Sequence, residues 1–224
     1  MSFKKNLDKY KRVAFKPREF FRSIAKEDVV TAIKFYLLMI VAFSIISIIL
    51  SFIIAKFNPT ELFGGIISLI TNIIISFLII IIFSALVYVG ILIYNKGKAE
   101  FNSIFKTILY SLTIPLFYST ISVIIASGFE VYHPINSLLS QLNQQTDPSI
   151  IIQEIINDKI HLARIAIILL ISIISIIHLL GLATIGISES HKLKKWKSFL
   201  AIITIPVILM LLKLLAIVVA LPQV

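Results

Sequence analysis

Residues 64–94 read GGIISLITNIIISFLIIIIFSALVYVGILIY, a stretch without Asp, Glu, Lys, Arg or His. At 1.5 Å per residue, a helix of this length outruns the roughly 30 Å hydrocarbon core of a bilayer. It has to tilt, kink or project beyond the membrane. Ser68, Asn72 and Ser76 recur in it every four residues, and that polar stripe predicts the face turned towards neighbouring helices. Working outward, four more apolar stretches share its character, at about 30–55, 103–127, 159–188 and 198–222. The predicted fold is therefore all-α: a polytopic bundle of five transmembrane helices over 29–224, preceded by a basic amphipathic surface helix within 1–28.

Composition agrees. The 224 residues are 58% hydrophobic and the mean hydropathy is +1.02, more apolar surface than a soluble domain of this size can hide. The chain has no Cys, which excludes disulfides, thiolate catalysis and zinc–thiolate sites. Its net charge is +10. Because the basic residues flank membrane spans, anionic lipid headgroups are the expected partners rather than nucleic acid. The first 28 residues do not read as a cleavable signal peptide, since their basic region is long and no small-residue cleavage site follows.

Orientation follows from the basic residues. Nine lie in 1–28, two in the loop at 95–100 and four in 189–197, against Lys56, Lys159 and Arg164 on the opposite side. The positive-inside rule then predicts a multi-pass protein with a cytoplasmic N-terminus and the C-terminus outside. Lys4, Lys5, Lys9, Lys11 and Arg12 surround a helical stripe of Phe3, Leu7, Tyr10 and Ala14. Pro17 ends that pattern, and Phe20 and Phe21 lead a second short amphipathic segment. Phe3, Leu7, Tyr10, Phe20 and Phe21 are expected to meet lipid or the cytoplasmic ends of the bundle. With Lys192, Lys194 and Lys195 after the fourth span, these residues form the candidate lipid- or partner-binding face.

The chemistry of an intramembrane enzyme is missing. There is no H-E-x-x-H helix, no G-x-S-x-G elbow, no P-loop and no dinucleotide fingerprint. No catalytic, metal or cofactor site is expected. Glu189-x-His191 offers too few ligands for a metal, and its plainer reading is a polar helix end. His178, near the middle of its span, reads as a proton relay or as a histidine hydrogen-bonded to a neighbouring helix at the depth of Ser84 and Thr113. Lys213 lies deep in the last span. Counting from the outer ends places it in one layer with Asn72, Tyr118 and Ser47, at roughly 12–14 Å. Pro115, inside the third span, is expected to leave the Ser111 carbonyl without its helical donor.

Three short motifs add a resemblance. Pro17-Arg18-Glu19-Phe20-Phe21 precedes the first span. Phe101-x3-Phe105 is followed by Tyr110-Ser-Leu-Thr-Ile-Pro115. Gly186-x-x-Glu189-x-His191-x-Leu193 joins the last two spans. In these the chain resembles the Yip family, the Ypt/Rab-interacting membrane proteins, in its prokaryotic branch, although the family commonly has an aromatic near the position of His178. The resemblance implies a five-span, non-enzymatic membrane protein. Two functions are weighed: a membrane adaptor or organiser with a basic cytoplasmic face, and a small permease or channel with a polar path near Lys213, Asn72 and His178. A cytoplasmic protein and a second copy of the chain are the protein partners the sequence admits.

Overall fold

The computed structural model describes the backbone of residues 3–54, 59–132 and 159–220, and within these ranges the side chains except at 3, 61, 130–132 and 211–220. Every regular element among the described residues is a helix. In chain order they are α1 (Phe3–Phe15), α2 (Pro17–Ser23), α3 (Val29–Ile54), α4 (Pro59–Tyr94), α5 (Phe101–Ser111), α6 (Thr113–Tyr132), α7 (Lys159–His191) and α8 (Lys195–Ala220). Among the described residues, four segments are long and apolar enough to cross a membrane: Val29–Ile54, Leu62–Tyr94, Phe101–Phe129 and Lys159–His191. The fifth expected span falls on α8, 26 residues long. The all-helical membrane fold is thus the one read from the sequence.

The third span is divided, for a local reason. Pro115 has no N–H to give the Ser111 carbonyl, and its ring crowds the preceding turn. The chain closes α5 with the Leu112 N–H on the Ile108 carbonyl at 2.9 Å and starts α6 at Thr113. Pro115 becomes the third residue of a new helix, where an amide proton has no intrahelical partner to lose. Pro206 is accommodated differently, inside an unbroken α8.

Two tight turns shape the ends of α4 and α7. Lys96 and Gly97 take positive φ of 51° and 77°, and the Gly97 N–H reaches back to the Leu92 carbonyl at 2.9 Å. Lys192 also takes a positive φ, 53°. It lets the Leu193 N–H bond the Ser188 carbonyl at 3.2 Å, while the Ser188 hydroxyl donates to the Leu193 carbonyl at 2.7 Å.

The chain forms two compact units. The first comprises Met1–Leu38, Ile73–Ile114 and His178–Val224. In it α4 buries Ile80, Ser84, Val87 and Ile91, one face at helical spacing, and α5 is buried from Ile104 through Ser111. The closest approach is at Gly90, where a Cβ would lie 2.0 Å from the Ala201 carbonyl oxygen. The second unit comprises Met39–Asn72 and Pro115–Ile177. It leaves large apolar side chains such as Ile49, Ile67, Leu170 and Ile173 exposed, as suits helices solvated by lipid. Its aromatic contacts include Phe43 against Phe117, 6.2 Å between centroids, and Phe117 against Tyr118, 5.8 Å.

The stripe on α4 corrects the sequence reading in part. Ser68 and Asn72 are exposed, Ser76 is half-buried, and Ile80 and Ser84 further along the same face are buried. The small polar groups mark an interface only at the end of the helix where other helices pack against it. The Asn72 amide donates to Ser68 Oγ at 3.4 Å, within its own helix.

Candidate functional site

The site belongs to the first unit and starts with α2. Pro17 opens this helix at its first position, where a missing N–H is harmless. The six residues that follow place Arg18 and Arg22 one turn apart. They place Phe20 and Phe21 inward, at 1% and 3% exposure. Phe20 meets the Tyr110 ring edge-on at 4.9 Å, and Phe35 of α3 lies 5.2 Å from the same ring.

On α5, Lys106 and Tyr110 are four residues apart and share a face. Both reach the turn between α2 and α3. The Lys106 ammonium donates to the carbonyls of Ala25 at 3.1 Å and Glu27 at 2.7 Å, which gives a lysine only 7% exposed oxygen partners in its buried place. Tyr110 donates its hydroxyl to Glu27 Oε2 at 2.8 Å. Lys9, from α1, donates to Glu27 Oε1 at 2.5 Å and to Tyr110 Oη at 2.5 Å. Its ammonium also lies over the Tyr110 and Phe35 rings, at 4.7 and 5.3 Å from their centroids. Every member has a partner, so the network clamps four helical segments together rather than presenting a free nucleophile or base.

A second clamp lies at the end of α7. Arg18 Nε donates to Glu189 Oε1 at 2.5 Å and Arg22 Nε to Glu189 Oε2 at 2.6 Å. One turn earlier Gly186 is needed for close approach: a Cβ there would sit 2.4 Å from Thr107 Cγ2 and 3.0 Å from Phe21 Cε1. His191 accepts the Glu100 backbone N–H on Nε2 at 3.2 Å, and its Nδ1 lies 2.8 Å from Ser190 Oγ. Glu189 and His191 are thus engaged separately, in structural bonds.

The three sequence motifs therefore meet. Phe20 and Phe21 from the first, Tyr110 from the second and Gly186 and Glu189 from the third pack into one polar and aromatic clasp. A family model described as the Yip1 domain matches residues 11–217. The chain belongs to the Yip1 family. No curated protein and no solved structure matches it. In this Yip1-family protein the matched region contains the whole clasp except Lys9.

The structure redistributes the candidate residues. Lys4, Lys5, Lys11, Arg12, Lys192, Lys194 and Lys195 are exposed. Of the two settings expected for Phe20 and Phe21, lipid or the ends of the bundle helices, the structure has them buried, Phe20 against the Tyr110 ring and Phe21 beside the bare Gly186 backbone. Lys9 is corrected from surface cation to partner of Glu27. On α1 the buried residues are Asn6 and Val13, while Leu7 stays 40% exposed and Tyr10 half-buried. Tyr118 and His178 are half-buried, and the Lys213 side chain lies outside the described residues.

Sequence reading passed over Glu27, Lys106 and Gly90. Lys106 carried a signal, being an ionisable residue inside a predicted span and one turn from Tyr110. Glu27 carried none, since a carboxylate in a basic flank reads as solvated. Gly90 gave no sign among so many apolar neighbours.

Proposed function

We propose that this multi-pass membrane protein of the Yip1 family is a non-enzymatic adaptor, with its N-terminal helices forming a preassembled basic face on the cytoplasmic side. The observation that carries this reading is the double clamp. Lys9 with Glu27 and Tyr110, and Arg18 and Arg22 with Glu189, hold α1 and α2 against α5 and α7. The remaining cations, among them Lys4, Lys5, Lys11, Lys16, Lys194 and Lys195, stay exposed. A face held in this way attracts anionic lipid and offers a cytoplasmic protein a fixed pattern of charge. The permease reading draws no support from Asn72 or Ser47, each of which is bonded within its own helix.

The experiment uses the native absence of cysteine. Lys11→Cys and Lys194→Cys should be untouched by an impermeant thiol reagent in intact cells and should react once the cytoplasmic side is opened, in permeabilised cells or inverted vesicles. Proximity labelling from the N-terminus should then mark cytoplasmic proteins. Labelling of both cysteines from outside would overturn the orientation and the adaptor reading with it.

A further inference from the structure

Between α1 and the turn joining α2 to α3 lies a groove of about 760 Å³, within the size range of small-molecule sites. One wall is a single face of α1: Lys4, Lys5, Asp8 and Arg12. The other is Ser23, Lys26 and Thr31, and Phe20 and Ile24 contribute to the floor. Lys9 and Glu27 also line the groove, but they are committed to each other. Four cations, Lys4, Lys5, Arg12 and Lys26, therefore face the space against Asp8. Arg12 is fixed rather than splayed. Its Nη2 donates to Ser23 Oγ at 3.2 Å, and its guanidinium lies 6.0 Å from the centre of the Phe20 ring.

We propose that this groove is a binding site for a phosphate monoester, with the basic walls holding the phosphoryl group and the apolar floor taking the carbon skeleton beside it. The proposal rests on the basic-face reading and narrows it to one place and one chemistry. A monoester carries about −1.5 to −2 charges at neutral pH, so it uses several convergent cations better than a diester with a single charge. Arg12 supplies a planar fork for phosphate oxygens, and the lysines supply mobile point charges. The surrounding lysines on α1 and after α7 attract any anion over the Debye length, but they form no enclosure. The shared chemistry is the phosphoryl monoester; its source is either a lipid headgroup or a soluble organophosphate.

The test is native mass spectrometry of the full chain in detergent. The probes are phosphatidic acid (a monoester), phosphatidylglycerol (a diester) and soluble glycerol 3-phosphate. The groove variant is Lys4→Gln/Lys5→Gln/Lys26→Gln. The control, Lys11→Gln/Lys16→Gln/Lys194→Gln, removes the same charge from exposed lysines outside the groove. The wild-type protein should retain phosphatidic acid about tenfold more tightly than phosphatidylglycerol, and the groove variant should lose that margin while the control keeps it. The single Lys26→Gln variant, monitored by its helical circular dichroism, should move in the same direction as the triple. Glycerol 3-phosphate binding as tight as phosphatidic acid would assign the groove to soluble organophosphates, and weaker binding would assign it to the lipid; both uphold the site. Equal losses in groove and control variants would overturn the groove and leave the basic face standing. Equal retention of monoester and diester by the wild type would overturn the proposed selectivity. Retention of neither anionic lipid would remove both groove and basic face.

Discussion

The two compact units use the same kinds of residue to different ends. The first gathers Lys9, Glu27, Lys106 and Tyr110 into a closed network and brings the α4 backbone against α8 at Gly90. The second exposes isoleucines and leucines, as the outer faces of the first also do, and it bonds Ser47, Asn72 and Ser172 within their own helices. Lipid solvates an isoleucine as well as another helix does, so apolar area alone does not select a partner there. Hydrogen bonds and close backbone contacts do. The comparison teaches that fold specificity in this protein is concentrated in the unit that carries the clasp.

Substitution can break that comparison most severely at Gly90. A methyl group 2.0 Å from a backbone oxygen has no side chain to displace, so α4 and α8 must separate. Gly90→Ala should lower the unfolding midpoint in detergent by more than about 10 °C, or abolish recovery of folded protein. Gly128→Ala in the second unit meets nothing within 4 Å and should be neutral or slightly stabilising. A similar loss at both positions would end the contrast between the units.

The polar network comes next. Glu27→Gln strips the charge that Lys9 faces, and Tyr110→Phe removes the hydroxyl that touches both Lys9 and Glu27. Each should cost about 1–3 kcal/mol. The double variant should cost less than the sum of the two, because the groups form one network. Strict additivity by thermal or denaturant unfolding would show that the network does not act as a unit.

Smaller effects are expected at Glu189. Arg18 and Arg22 have side chains 62% exposed, so Arg18→Gln or Arg22→Gln should each cost less than about 1 kcal/mol, and the cost should shrink as salt rises. A large cost that ignores salt would mean that the clamp is far better shielded than its exposure indicates. The smallest effect should be at Asn72→Leu, in the second unit, where stability should stay level or rise. A clear loss there, together with a change in oligomeric mass, would reveal a second copy of the chain covering that face.

The helices were legible in the sequence because a membrane demands long uncharged runs, and no competing signal obscures 64–94. The division of the third span was legible as a defect at Pro115, though not as two helices, since a proline at that position fits a kink or a fresh start equally well. The clasp was half legible. Pro17 to Phe21, Tyr110, Gly186 and Glu189 stood out as motifs, but their contacts join residues far apart in the chain, such as Arg18 and Glu189. Periodicity informs on one helix at a time. It gave α1 an apolar stripe, yet Lys9 of α1 bonds Glu27, which lies outside that helix.

Lys106 also bears on the order in which the chain is assembled. Its ammonium is bound by carbonyls of Ala25 and Glu27, made 81 and 79 residues earlier. Until α5 exists, that turn has no cation to close around; until the turn is in place, the cation has no shelter from lipid. The Lys106 contacts of the N-terminal helices therefore cannot form before α5 is synthesised. Nascent chains arrested before α5 emerges should leave residues 3–28 open to protease, and chains that extend beyond α5 should protect them.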